Sequence, residues 1–455
     1  MSLMASRLAR RWERVPRCFQ WPESGDSGSF RGMTTPENLF SELLGLGDAW
    51  VVERAAFDEA KKALELHVRE TPKLWDEERC PHDGSAGVVC HDHVRGLRWR
   101  HLNVFNKEAE IVCDLPRGRC PTCGKVWRVT PPWEGRAKHF TKEFEAFALT
   151  LMREMPVKKA AEILGEQDTR MWRVVQAYVE EAHAAVDMSD VTCVGVDEMA
   201  RAKGHRYLTV FADLVKKAVL FATPGKDSET WAEFVKALAA HNGHPHALTH
   251  VSMDMSKAYA KGVRDYCRNA QIIYDKFHVI AHANQAVDLV RRAEAQSGSV
   301  TAREVLVKSR WLWLKNPENL SRKQRTRLRQ IDQNMLQTGQ AYQMRLALQE
   351  IYALDSSAAA ALRFGEWCRW VRREARKASR WLLHHMVGVA DLIESHIAGI
   401  LAHWEQGVTN AFMEGLNSVF SAVRRKARGY RSIRNMIAML YFVAGKLPSP
   451  AMLSH

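Results

Sequence analysis

Residues 191–221 read VTCVGVDEMARAKGHRYLTVFADLVKKAVLF, and here the chain turns from helical to strand-like patterning. Residues 191–196 are short, β-branched and almost wholly apolar, as suits a strand buried on both faces, and the run is expected to stop at Asp197. Residues 207–213 and 218–223 read as the next two strands, joined by a polar turn around Lys216 and Lys217. Residues 228–241 then take helical period, with Trp231, Phe234, Val235 and Leu238 on one face. A fourth short run, 249–253, again stops at an aspartate, Asp254. After a further helix, 271–274 gives a fifth strand that ends at Asp275.

Three strands, helix, strand, helix, strand is a mixed α/β arrangement. With carboxylates at the ends of its first and fourth strands, it resembles an RNase H-like nucleotidyl-transferase core built on a mixed five-stranded sheet. Like charges held close are costly unless a cation neutralises them, so a neighbouring Asp197 and Asp254 point to Mg²⁺. The plainer reading of either aspartate alone is a cap for the loop or helix that follows.

The chain has 455 residues, enough for about three domains at roughly 150 residues each. Its 66 Lys and Arg exceed its 52 Asp and Glu, giving a formal charge of +14. That balance points to an anionic partner, with nucleic acid ahead of a merely basic soluble enzyme. No apolar run approaches the roughly 20 residues of a membrane span, so no membrane partner is expected. Nine cysteines without regular pairing argue for a reducing compartment, hence the cytoplasm. Residues 1–33 carry Arg7, Arg10, Arg11, Arg14 and Arg17 without the apolar centre of a secretory signal, and read as a disordered basic extension.

In 34–139, Thr35 and Pro36 open a short helix, and 50–68 alternates strand-like apolar and charged residues. CPTCG at 120–124 is a knuckle that presents Cys120 and Cys123 to one tetrahedral Zn²⁺. CPHDG at 80–84 has the same frame, with Cys80 present and Asp83 where a second cysteine belongs. His82, Asp83, Cys90, His91 and His93 are all candidates to complete the site, and a knuckle without metal is the alternative. Residues 140–153 are helical. Two more helices flank Gly165 in 157–182, with Ala160, Ile163 and Leu164 apolar before the break and Trp172, Val175 and Tyr178 after it. This fits a helix-turn-helix at 140–188, leaving Gln167, Arg170 and Arg173 free to face DNA. Residues 278–294 are helical, and a basic, Trp-rich helical region follows. Most of its tryptophans suit packing between helices, although one could stack on an unpaired base.

Near the C-terminus, TNAFMEGLNSVFSAVRRKARGYRSIRNM (409–436) places Asn410, Glu414 and Asn417 on one helical face. Arg424, Arg425, Lys426, Arg428 and Arg431 follow. An acid just ahead of such a phosphate-binding surface is placed to hold a metal over a DNA backbone; a solvent-exposed helix Glu is the plainer reading.

Taken together, the LF..LLGL segment at 39–46, CPTCG, the helix pair, GVDE, DMSKAY, DKFH, RWLWLKNPENLS and TNAFMEGLNSVF with RGYR resemble a bacterial insertion-sequence transposase of the DDE class, ISL-three family. The resemblance runs from about Thr35 to Pro448. It implies Asp197, Asp254 and Glu414 as a metal-binding triad for two Mg²⁺ ions, with Mn²⁺ as a substitute. It implies Asp275 and His278 as support. It also implies a core in two parts, 189–295 and 401–455, around a helical insertion at 296–400, with Trp311 or Trp313 to hold a flipped base. Such a protein binds terminal inverted repeats, cuts the strand, joins the end to target DNA and acts as a dimer or larger assembly. Asp83 departs from the family's first knuckle and bears on the zinc, not on the triad. The competing class is a domesticated DNA-binding protein without catalysis.

Overall fold

The computed structural model describes residues 35–202, 206–331, 336–406, 411–430 and 432–448. Residues 1–33, Asn410 and Arg431, all singled out above, lie outside the described residues. The chain forms two compact units, Met1–Trp133 and Glu134–His455.

In the first unit, the Thr35 side chain accepts from Asn38 N–H and caps α1 (Pro36–Leu43). The stretch 50–68 divides into two antiparallel strands, β1 (Trp50–Asp58) and β2 (Ala63–Glu70). A turn containing Lys62 at φ 56° folds the run back on itself. Then come α2 (Lys73–Glu77), β3 (Val89–Val104), β4 (Lys107–Arg119) and β5 (Val126–Arg128), in a sheet of order β1-β2-β4-β3 with β5 paired to β4. Strands β3 and β4 escaped the sequence reading because three register slips along β3 reverse which residues face inward, erasing the period-two signal. Trp133 sits at the centre of this core, its ring edge-on to Trp50 at 5.0 Å and to Trp99 at 5.8 Å.

The second unit is three-layered. Helices α3 (Lys142–Glu154), α4 (Val157–Leu164) and α5 (Asp168–Ala184) come first. Gly165 at φ 71° ends α4, which only a residue without a Cβ does cheaply. The sheet follows: β6 (Cys193–Ala202), β7 (Arg206–Asp213), β8 (Ala218–Pro224), then α6 (Glu229–Ala240), β9 (His250–Met253), α7 (Lys257–Tyr266) and β10 (Gln271–Tyr274). Strand order is β10-β9-β6-β7-β8, antiparallel across β6, β7 and β8 and parallel across β6, β9 and β10.

Alternation divides the sheet's side chains cleanly. Val194, Val196, Phe211 and Leu220 face one core with Trp231, Phe234, Tyr259 and the helices that follow β10. Leu208, Val210, Ala212 and Val219 face the other, shared with α3, α4, α5 and the two C-terminal helices. Those later helices are α8 (Lys276–Ser297), α9 (Val300–Leu306), α10 (Arg310–Leu314), α11 (Arg322–Arg329), α12 (Gln337–Ile351), α13 (Ser357–Ala375), α14 (His384–Ser395), α15 (Ile397–Gln406), α16 (Ala411–Lys426) and α17 (Ile433–Ala444). The boundaries read at 188, 295 and 400 thus fall inside one unit with continuous cores. No single helix among the described residues is long and apolar enough to cross a membrane.

Gly262 on α7 shows how closely the layers fit. A Cβ there would lie 2.2 Å from Trp231 Cδ1, and Trp231 is fully buried. Gly262→Ala is expected to lower stability by about 1–3 kcal/mol, the usual cost of overpacking, read as a lower denaturation midpoint.

Candidate functional site

Strand β9 lies between β6 and β10 and is parallel to both, with Gly195 opposite Ser252 and Tyr274 opposite Met253. Following these registers, Asp197, Asp254 and Asp275 come side by side at one level of the sheet. Only Asp254 and Asp275 stand just beyond strand ends. The expectation that β6 stops at Asp197 is corrected: β6 runs on to Ala202 because it pairs with β7, Asp197 lying opposite Val210.

Each aspartate is held by backbone or side-chain donors. Glu198 N–H donates to Asp197 Oδ1 at 2.7 Å, and Asn417 Nδ2 donates to Asp197 Oδ2. Ser256 N–H donates to Asp254 Oδ1 at 2.9 Å. Asp275 is buried and caps α8, accepting from Phe277 N–H at 3.0 Å. Burial holds the Asp197 carboxyl above the ordinary aspartate range and the Asp254 charge pushes the same way, while Glu198 N–H, His278 and Asn417 oppose them. A folded carboxyl that titrates above its unfolded value binds more protons in the folded state. The contribution of Asp197 to the stability of the metal-free protein is therefore present below pH 3.8 and lost as pH rises through the folded pKa, and thermal melts of Asp197→Asn against pH should lack that contribution.

Asn417 reaches Asp197 because α16 packs directly on β6. A Cβ on Gly195 would stand 2.6 Å from Leu214 Cδ2 and 3.0 Å from Met413 Cγ, so only glycine admits Met413 at this distance. Met413, Leu416 and Phe420 form the buried face of α16. Glu414 sits on this helix one turn before Asn417; its side chain lies outside the described part of the structure.

The sequence reading passed over Glu198, although it is the last letter of the GVDE motif. Alternation along β6 turns it to the opposite face from Asp197, where the Tyr259 hydroxyl bonds to it and Thr209 Oγ1 lies 2.8 Å from that hydroxyl. Burial raises the Glu198 carboxyl, and Asp254 adds to the rise.

The expected DNA-facing residues divide. Gln167, at the N-cap of α5, and Arg173, on α5, are exposed, but Arg170 is engaged, its guanidinium 2.6 Å from Glu166 and stacked over Phe140 at 4.4 Å. Ile163, one of the apolar residues before the break, is 52 % exposed. Arg425, Lys426 and Arg428 are exposed, and Arg424 is half-buried. Trp311 is 59 % exposed beneath Arg310. Trp313 is fully buried, edge-on to Tyr342, with Nε1–H donating to Ser309 Oγ at 2.9 Å, which removes it as a base-stacking surface.

In the first unit the two knuckles have one geometry. Gly84 N–H donates to Cys80 O and Gly124 N–H to Cys120 O, with both glycines near φ 70°. The ligand atoms of Cys80, Asp83, Cys120 and Cys123 all lie within 4.8 Å of one another. Cys80 and Cys123 sulfurs are 3.6 Å apart, close to the roughly 3.8 Å that tetrahedral zinc with bonds of about 2.3 Å requires. Asp83 occupies the missing cysteine's place, and the Ser85 hydroxyl and N–H hold its carboxyl ionised, well below the usual range. Cys90 and His93 stand apart from this set, in a group with Glu70.

The chain thus carries a mixed sheet with neighbouring aspartates, a helix pair joined by a tight turn, and two cysteine knuckles that share one ligand cluster. Residues 194–440 match a family model described as a transposase, 129–179 the helix-turn-helix domain of transposase family ISL3, and 76–123 the zinc-finger of transposase IS204/IS1001/IS1096/IS1165. The chain belongs to the ISL3 transposase family. It is 27% identical over 396 residues to the transposase for insertion sequence element IS1001 of Bordetella parapertussis, which covers 86% of this chain and 94% of that one. It is 28% identical over 444 residues to the transposase for IS1557 of Mycobacterium tuberculosis, with 90% and 96% covered. DNA is accordingly its partner, a structural zinc accords with its knuckles, and a divalent metal suits its acids.

Proposed function

We propose that the chain cuts DNA at the terminal inverted repeats of an insertion sequence and transfers the freed 3′ end to target DNA, with Asp197, Asp254 and Glu414 as its acidic triad. The observation that carries this reading is the parallel register that sets Asp197 beside Asp254, with α16 bonded to Asp197 through Asn417. The strand order and directions of the five-stranded sheet support an RNase H-like core, and the helices after β10 support a helical insertion.

Two buried or half-buried carboxylates at one level repel unless a cation lies between them, so the residues present fit Mg²⁺, with Mn²⁺ in its place. When bound, the ions supply positive charge at the scissile phosphate and favour ionised water or 3′-OH there. The chain's own residues do the rest. Asn417 and Glu198 N–H fix both oxygens of Asp197, and Asp275 ties the start of α8, which carries His278, to the same edge. Arg425, Lys426 and Arg428 extend from the end of α16 as cations for the phosphate backbone, together with Gln167, Arg173 and the finger. Joining two ends calls for a dimer or larger assembly.

Purified protein with labelled terminal DNA and Mg²⁺ tests the reading beside a Glu414→Gln variant. Cleavage that the variant loses while binding persists supports the triad. Salt-sensitive binding with no cleavage by either protein, under Mg²⁺ or Mn²⁺, would move the chain to the DNA-binding class.

A further inference from the structure

We propose that Glu70, Cys90 and His93 form a second metal site in the first unit, for a zinc-type dication, separate from the knuckles.

Residues three apart on a regular strand point to opposite faces, so Cys90 and His93 should be separated by the sheet. Strand β3 slips between Cys90 and Asp92, so that Cys90 lies opposite Gly118 and His93 opposite Pro116. Those partners are two apart on β4, and the bulge therefore delivers thiol and imidazole to one face. Glu70, the last residue of β2, reaches the same place from the far side of β4, its Oε1 2.7 Å from His93 Nε2. The sulfur, nitrogen and oxygen all lie within 4.8 Å of one another.

A thiolate, an imidazole and a carboxylate are a donor set for zinc, whereas Mg²⁺ and Ca²⁺ take oxygen alone. The nearby Asp92 is committed to Arg117. Three protein ligands leave the fourth position to water, unlike the four-ligand knuckles, and Glu70 and His93 line an open hollow through which an ion can enter. The bound ion would tie β2 to β3, two strands that do not hydrogen-bond to each other.

Zinc counted by mass spectrometry on the reduced, full-length protein tests this, after equilibration with micromolar Zn²⁺ and exchange into zinc-free buffer with excess Mg²⁺, which clears zinc from the oxygen-only acids of the sheet. Two ions per chain are expected for the wild type, and one for Cys90→Ala/His93→Ala. Cobalt should follow the same stoichiometry, with the double variant keeping the intense thiolate-to-cobalt absorption of the knuckles. One ion in the wild type, or two in the double variant, would overturn the site. Should the double variant lose both ions, Glu70→Gln decides: loss of one ion upholds the site, and retention of both at wild-type strength overturns it.

Discussion

Asp197→Asn is expected to slow end cleavage by about 10³-fold or more, since removing a charged ligand from a metal-assisted phosphoryl transfer forfeits several kcal/mol. Binding to end DNA should persist, because the substitution changes almost no volume and leaves the basic surfaces untouched. The local cost is calculable from the two donors. Glu198 N–H and Asn417 Nδ2 each hold a different oxygen of Asp197, and an amide offers only one. One donor must then face the new NH₂ group, a loss of about 1 kcal/mol that relief from burying a carboxylate partly offsets. Single-turnover cleavage of labelled ends, run beside equilibrium binding and a thermal melt, separates the two effects. Cleavage at near wild-type rate by a folded Asp197→Asn protein would remove Asp197 from the triad.

Cys120→Ser should release the knuckle metal and unfold much of the first unit. Structural zinc in small modules is worth on the order of 10 kcal/mol, and this sheet has a modest core of its own around Trp133. Chelator titration followed by limited proteolysis would show it, with the first unit cut while Glu134–His455 resists. The opposite change, Asp83→Cys, should tighten zinc binding, because a thiolate suits zinc better than a carboxylate and the Asp83 position already has the knuckle geometry. A chelator competition giving equal or weaker affinity for Asp83→Cys would mean that Asp83 is not a ligand.

The five-stranded sheet of the second unit was legible because its strands are short, apolar and punctuated by acids: β7, β8, β9 and β10 fall within a residue or so of their expected bounds. Asp254 and Asp275 stood out for the same reason. The extension of β6 beyond Asp197 was hidden, since Glu198 and Arg201 look like a loop and only pairing with β7 keeps the strand going. Trp313 and Trp311 are two residues apart in one short motif, and sequence has no means of telling which one α12 covers. Arg170 reads as a free cation until Glu166 and Phe140 are found beside it. In the first unit, bulges removed the alternation that would have announced β3, and the same bulges brought Cys90 to His93.

The dependence of Asp197 on α16 has a consequence for synthesis. Everything that would grip DNA through the knuckles and α5 is made before residue 190, and Asp197 and Asp254 before residue 260. The helix that Gly195 admits leaves the ribosome more than 200 residues after Gly195 itself. A nascent or prematurely terminated chain would therefore possess the knuckles and α5 and lack the helix that bonds to Asp197. Such fragments would occupy ends without cutting them. On the proposed function, the order of the chain would postpone breakage until translation is nearly finished, and truncated copies would compete with the intact protein.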